Sequence, residues 1–308
     1  MTDFAQNTVA SFSVLIPTRN RPENLVHLLR SISNSTILPE CVIVVSTGFN
    51  ISEFLENLET NFQLDYVHAD GFGQIHQKII GIKRVPKNSR WLIFLDDDLN
   101  VAENCFEELF NLLYSESESQ SIVGVGMADE IAKVSRDRGI KKLFSAYRGK
   151  VLKSGTNISY MTSPIRIETE WLNGASMWRT EVLGNYFFEH TQTRYAICED
   201  LIFSHRVKKV GKLIFCPEAI YRRQDSSFQS MNAANLRSLA FWKLYFVSTN
   251  AELSKILFFL SFGMTTFKFC TKKFSIGEKW YAIVTLSLLF KSILTNEDPL
   301  CALKRLEI

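Results

Sequence analysis

No two cysteines in this chain are spaced for zinc or redox chemistry. The six present (Cys41, Cys105, Cys198, Cys216, Cys270 and Cys301) are scattered, with no CxxC pair and no histidine cluster nearby. That argues against structural zinc and against a disulfide framework, and fits reduced thiols in a cytosolic setting. A Gly-rich phosphate loop is missing after the first strand-like run. Charge of one sign is scarce: 35 Lys and Arg against 32 Asp and Glu leave +3, too little to argue for nucleic acid as a partner. No apolar run reaches the roughly 20 residues of a bilayer-spanning helix. The stretch from Met1 to Ser11 lacks the basic start and apolar centre of a signal peptide.

What is present is apolar and regular. Hydrophobic residues make up 46% of the 308 and aromatics 12%, enough for one large domain or one domain with an appendage. Strand-like runs at Phe12–Ile16, Cys41–Val45, Leu64–Val67, Trp91–Leu95 and Ile122–Val125 alternate with helix-like segments. The helical segments are placed from Pro22, at Ile51–Leu58, at Gln74–Arg84 and at Val101–Tyr114. Alternation at this spacing predicts βαβ units and a mostly parallel sheet. Residues 131–165 are basic and weakly periodic, an expected excursion over the site. A helix over Glu199–Val210 ends at Gly211, and Leu213–Cys216 returns as a strand.

The run Trp91-Leu92-Ile93-Phe94-Leu95-Asp96-Asp97-Asp98 carries the most chemistry. Five apolar residues read as a strand buried on both faces. Its C-terminal end is where open α/β sheets keep their ligand crevices. Three adjacent carboxylates repel, and a hard cation such as Mg²⁺ or Mn²⁺ relieves that repulsion. The competing reading is a helix cap, Asp98 or Asn100 starting the segment Val101–Tyr114.

Past Leu239 the character shifts. Charge-free runs at Ile256–Phe267 and Trp280–Phe290 are flanked by Lys255, Lys268, Lys279 and Lys291. From Arg237 to Ile308 there are 10 Lys and Arg against 5 Asp and Glu, so the positive excess sits in this tail. Short apolar helices flanked by lysines and aromatics suit a membrane interface. The alternative is a helical subdomain packed on the core. The expected division is 1–236 for the catalytic domain and 237–308 for an amphipathic helical region.

Four motifs in order resemble a family 2 glycosyltransferase of the GT-A fold, over roughly residues 12–225. They are Val14–Pro22, Asp96–Asp98, Trp171-Leu172-Asn173-Gly174-Ala175-Ser176 and Cys198-Glu199-Asp200-Leu201. The resemblance implies a mostly parallel central sheet flanked by helices. It implies inverting transfer from a nucleotide-diphosphate sugar, UDP-sugar first among the donors, to a glycan or lipid-linked acceptor. Asp200 is then the general base, with Glu199 positioning the acceptor or tuning Asp200. Asp96 and Asp98 are the Mn²⁺ or Mg²⁺ ligands, and Asp97 meets ribose or sugar.

The resemblance also places Pro17, Thr18, Arg19, Arg21, Ser46 and Lys78 around the nucleotide. Asn173, Gly174 and Ala175 lie beside donor and acceptor. Two departures stand out. The family's uracil-binding acid is replaced in Val45-Ser46-Thr47-Gly48, and Arg222 occupies the place where many members put a metal-binding histidine. Arginine cannot ligate a cation but can fork onto a diphosphate. A sugar-phosphate nucleotidyltransferase and a non-catalytic sugar-nucleotide-binding or scaffold protein are the rival readings.

Overall fold

A computed structural model describes residues 11–134, 145–186, 196–224 and 232–307, apart from 57, 72, 117 and 118. The chain opens with β1 (Phe12–Arg19), α1 (Pro22–Ser33), β2 (Cys41–Thr47), a one-turn α2 (Ser52–Leu55), β3 (Gln63–His68) and α3 (Gln74–Ile82). It continues through β4 (Trp91–Phe94), β5 (Leu99–Val101), α4 (Cys105–Ser115), β6 (Ile122–Asp129) and α5 (Glu130–Val134). Next come β7 (Ile167–Thr169), β8 (Ser176–Arg179), α6 (Glu199–Val207) and β9 (Lys212–Arg223). Four helices follow: α7 (Ala233–Ser248), α8 (Lys255–Cys270), α9 (Ile276–Thr295) and α10 (Pro299–Glu307).

The sheet runs β3-β2-β1-β4-β8-β6-β9-β5, and β7 also pairs with β9. Its β3-β2-β1-β4 half is parallel throughout. β8 lies antiparallel to both β4 and β6, while β6 and β9 run parallel. The C-terminal ends of β1, β2, β4, β6 and β9 therefore share one edge of the sheet. Residues leading into β8 arrive at that same edge from the opposite direction. The site is built there.

Strand alternation splits the core in two. Val14, Ile16, Val44 and Ile93 pack on the face covered by α1 and α4. Leu15, Ile43, Val45, Leu92 and Phe94 pack on the other face, with residues of α6 and α7. α3 lies directly on β1: a Cβ at Gly81 would come within 2.1 Å of a Leu15 methyl. Only a residue without a side chain allows that approach, and it sets the α3 side chains above the strand ends.

Two sequence expectations change. Residues 99–101 form β5, antiparallel to the end of β9, so Val101 does not begin a helix. α4 starts at Cys105 with Asn104 at its N-cap position, which removes the capping role from Asp98 and Asn100. The described part of the 131–165 excursion includes a turn closed by a bridge between Val151 and Asn157; residues 135–144 lie outside the described residues. α7 begins at Ala233, ahead of the expected boundary at 237. Trp242, Phe241 and Phe246 are fully buried in the same cluster as Leu92 and Phe94. α7 thus belongs to the core rather than to a surface.

Candidate active site

β4 ends at Phe94, and Asp96, Asp97 and Asp98 follow at the shared edge. Their roles separate. Asp97 accepts a hydrogen bond from Thr18 Oγ1 at 2.7 Å and another from Arg21 Nη1 at 3.2 Å, so both its oxygens are engaged, one by the end of β1 and one by the turn that follows. Expected to meet ribose or sugar, it also ties the end of β1 to the turn after it. Asp96 takes one bond, from Gln74 Nε2 at 2.9 Å. Burial pushes the Asp96 carboxyl above its ordinary range; Lys78 opposes the shift, and Asp200 and Asp98 reinforce it. Asp98 has a buried Oδ1 without any hydrogen-bond partner.

α6 supplies the second pair of acids. Its N-cap, Cys198, has φ 85°, a left-handed conformation costly for a side chain with a Cβ. That turn aims Glu199 and Asp200 at α3. Glu199 is buried and pairs with the equally buried Lys78, whose ammonium also lies 3.3 Å from Asp200. The same ammonium sits 5.1 Å from the centre of the Phe94 ring. Lys78 is 1% exposed, so it faces the acids of α6 and not a nucleotide. Glu199 is 3% exposed, too enclosed to touch an acceptor and placed to tune Asp200 through Lys78. Asp200 keeps about a third of its side chain exposed. Burial, then the Glu199 charge, push its carboxyl up to about 7 against the pull of Lys78.

The segment before β8 joins the two pairs. The antiparallel register sets Phe94 opposite Ser176, and one continued step of two residues sets Asp96 opposite Gly174. A Cβ at Gly174 would stand 3.3 Å from Asp96 Oδ2 and 3.4 Å from Asp200 Oδ2. The small space between the two carboxylates is therefore kept open by a glycine. Asn173 is fixed from three sides: its amide N–H donates to Tyr160 Oη, its Oδ1 accepts from the same hydroxyl, and its Nδ2 donates to Tyr221 Oη. Ala175 is buried. Ser204 Oγ accepts from Leu172 N–H at 2.9 Å and donates to the Asp200 carbonyl, tying α6 to this segment.

Other expected residues fall in different places. Arg222 is 65% exposed and forks onto Glu130, away from the acids. Its neighbour Arg223 is the arginine that senses Asp96 and Asp98, and it pairs with Asp129 at 3.2 Å. Tyr221 and Arg223 share a strand face and Arg222 has the other. Ser46 is buried and bonded to Tyr66 Oη and His68 Nδ1. Pro17 is buried within β1 and Arg19 is exposed at its end. Sequence reasoning missed Gln74 and Gln77. Gln77 Nε2 donates to the carbonyls of Thr18 and Val45, holding the ends of β1 and β2 together. Their helical spacing with Lys78 was the available signal.

The acids fit a divalent cation. Asp98 offers an unpartnered buried oxygen, and Asp96 carries a carboxyl raised by burial and then by the charges of Asp200 and Asp98. Among the described residues, no three His, Cys, Asp or Glu side chains cluster to hold a metal alone. Two carboxylates completed by water and phosphate oxygens match how Mg²⁺ is usually held.

A family model described as glycosyl transferase family 2 matches residues 13–167, just over half of the chain. The chain belongs to that family. No curated protein matches it by sequence. The solved structure of S. aureus TarS 1–349 is similar at 15% identity, with a TM-score of 0.55 over 91% of this chain and 80% of that one. The mannosyltransferase PcManGT from Pyrobaculum calidifontis gives 12% and 0.54, over 95% of this chain and 85% of that one. Glucosyl-3-phosphoglycerate synthase from Mycobacterium tuberculosis gives 12% and 0.51, over 78% and 80%. Likeness at these identities establishes the GT-A fold and nothing finer.

In this family 2 glycosyltransferase Gly174→Ala fills the gap between Asp96 and Asp200. The three atoms nearest the methyl are carboxylate oxygens at 3.3 to 3.7 Å, so folding is expected to survive. Transfer should fall at least about tenfold, the cost of a small misplacement at a reacting centre. Thermal melting beside initial rates checks this; an active Gly174→Ala enzyme would show that reacting atoms do not use that gap.

Proposed function

We propose that the chain is a metal-dependent inverting glycosyltransferase that uses a nucleotide-diphosphate sugar. The observation that carries this reading is the convergence of Asp96 and Asp200 on either side of Gly174, with the Asp98 charge acting on Asp96. Asp200, partly exposed, would accept the proton of the acceptor hydroxyl as that oxygen attacks the anomeric carbon. The new C–O bond forms on one face while the bond to diphosphate breaks on the other, which inverts the centre. Arg21, and Arg223 in the place first given to Arg222, would face the departing diphosphate. The loop from Pro17 to Arg21 would hold base and ribose, with Arg19 at its exposed end. Asp96 and Asp98 would hold Mn²⁺ or Mg²⁺, which when bound neutralises charge on the leaving group.

Three similar proteins support the donor class. TarS was crystallised with UDP-GlcNAc, PcManGT with GDP-Man and Mn²⁺, and the mycobacterial synthase with Mg²⁺ and UDP. UDP comes first for this chain, with GDP and dTDP as alternatives. Residues 1–236 would carry out transfer and 237–308 would form the helical region, whose first helix, α7, starts at Ala233 and packs into the core of that transferase region. The acceptor we assign is a glycan or lipid-linked intermediate of bacterial surface polysaccharide assembly, reached at the cytoplasmic face of the membrane. Its support is the cationic, apolar tail.

A melting panel of UDP-, GDP- and dTDP-sugars with Mn²⁺ tests the donor and the metal together. At a hundredfold excess over Kd the donor should add about 2.7 kcal/mol. EDTA should remove most of that gain, and Asp98→Asn should no longer show the EDTA effect. A chain whose melting no donor moves is not this enzyme.

A further inference from the structure

α8 and α9, joined by a five-residue turn, run antiparallel and pack on α7. Phe258, Phe262 and Phe269 of α8 and Ala282, Thr285 and Leu289 of α9 form the buried rows. The opposite rows are apolar as well. Leu260, Met264 and Phe267 on α8 and Trp280, Ile283 and Phe290 on α9 are all exposed, with Phe267 at 71% and Trp280 at 66%. At the seam between the helices the half-buried Phe259 ring lies 5.4 Å from that of the exposed Phe290. Ten of the eighteen large exposed hydrophobics among the described residues belong to these two helices. Scattered apolar residues are ordinary on a surface, whereas a contiguous face is not.

We propose that this face docks in the plane of an acidic phospholipid bilayer. Its rim is cationic: Lys268, Lys272, Lys273 and Lys291 are all exposed. The acid within this rim, Glu278, is occupied in the capping box of Ser275. At the far end Glu252 pairs with Lys209, and Asp298 accepts from the first N–H groups of α10. A second copy would present the same lysines, whereas acidic headgroups supply the missing counter-charge. Among the described residues no helix is long and apolar enough to cross a membrane, so the contact is interfacial. An apolar face with a cationic border and an exposed tryptophan is the composition of such helices.

The face also connects to the site. Ser254, the N-cap of α8, donates its N–H to the Lys153 carbonyl, and Thr156 Oγ1 bonds Ser261 of α8. The same loop runs on to Tyr160, which fixes Asn173. Docking through α8 and α9 would set the acceptor side of the site against lipid. That role, though not the docking itself, rests on the lipid-linked acceptor reading.

Flotation of the full chain with vesicles of phosphatidylcholine, alone or mixed with phosphatidylglycerol, tests the proposal. The protein should float with the mixed vesicles and remain below with the neutral ones. Leu260→Glu with Trp280→Glu should weaken flotation at least about tenfold, and Lys272→Glu with Lys273→Glu should remove the preference for acidic lipid. Both pairs are exposed, so melting and donor hydrolysis should match wild type. Wild type that ignores mixed vesicles overturns the proposal. So does a vesicle-free dimer that the Leu260/Trp280 pair dissolves, since a second copy then covers the face. Absent donor hydrolysis in wild type would count against the transferase reading and leave the flotation result standing.

Discussion

Asp200→Asn should abolish transfer while making the protein more stable at pH 8. Loss of a general base costs typically about 10²- to 10⁴-fold in rate, and amide nitrogen cannot take the acceptor's proton. The stability gain follows from the position of the carboxylate. Asp200 shares its corner with Glu199 and Asp96 against one ammonium, and burial with the Glu199 charge pushes its carboxyl up to about 7. A carboxyl raised in the fold binds a proton that the unfolded chain has already released between about pH 4 and 7, so this group costs stability as pH rises through that window. The cost is complete above 7, where asparagine removes it. Because a third of the side chain is exposed, the full shift does not apply; a gain on the order of 2 °C in Tm is expected. At pH 4 the difference should vanish. The same carboxyl sets the rate profile of wild type, with kcat/KM rising as pH climbs through about 7 and then levelling. A variant that keeps transferring sugar, or that melts lower than wild type at pH 8, contradicts this account.

How much of this was legible beforehand depends on whether each signal is local. The Trp91–Leu95 run ending in three acids showed a buried strand and its functional edge, because a continuous apolar run and a charge cluster are adjacent in the chain. β5 was not legible. Three residues, Leu99, Asn100 and Val101, have no period of their own and become a strand only by pairing with Tyr221, Arg222 and Arg223, far away in the chain. The exchange of Arg222 for Arg223 has a related cause. β9 carries an irregularity in which Cys216 pairs with Met127 and Ile220 with the next residue, Ala128. Counting alternate faces from Leu213 across that interruption cannot say which arginine turns inward. Lys78 was noticed for the right chemistry in the wrong company: its position in the chain says nothing of Glu199, more than a hundred residues on. The exposed faces of α8 and α9 were written in their charge-free runs, but which half of each helix α7 covers was not.

Lys78→Met should be the most damaging single change in the molecule, and it should alter pH behaviour as well as stability. Burial alone would pull the ammonium below its ordinary range, yet Glu199, Asp200 and Asp96 together hold it above. Replacing it with a methionine leaves Glu199, 3% exposed, without the cation it faces. Breaking a buried pair from one side costs roughly 3–5 kcal/mol, a large part of the stability of a typical fold. The shift in Cm at unchanged denaturant slope reads that loss directly. A purely structural lysine would do no more. Here the ammonium also opposes the upward push on Asp200, so without it the rising limb of the rate profile should move to higher pH by about one unit or more. Activity at pH 7 falls, and part of it returns by pH 9 in whatever enzyme remains folded. A folded Lys78→Met enzyme with the wild-type profile would show that the ion pair holds α3 against α6 and leaves the proton acceptor untouched.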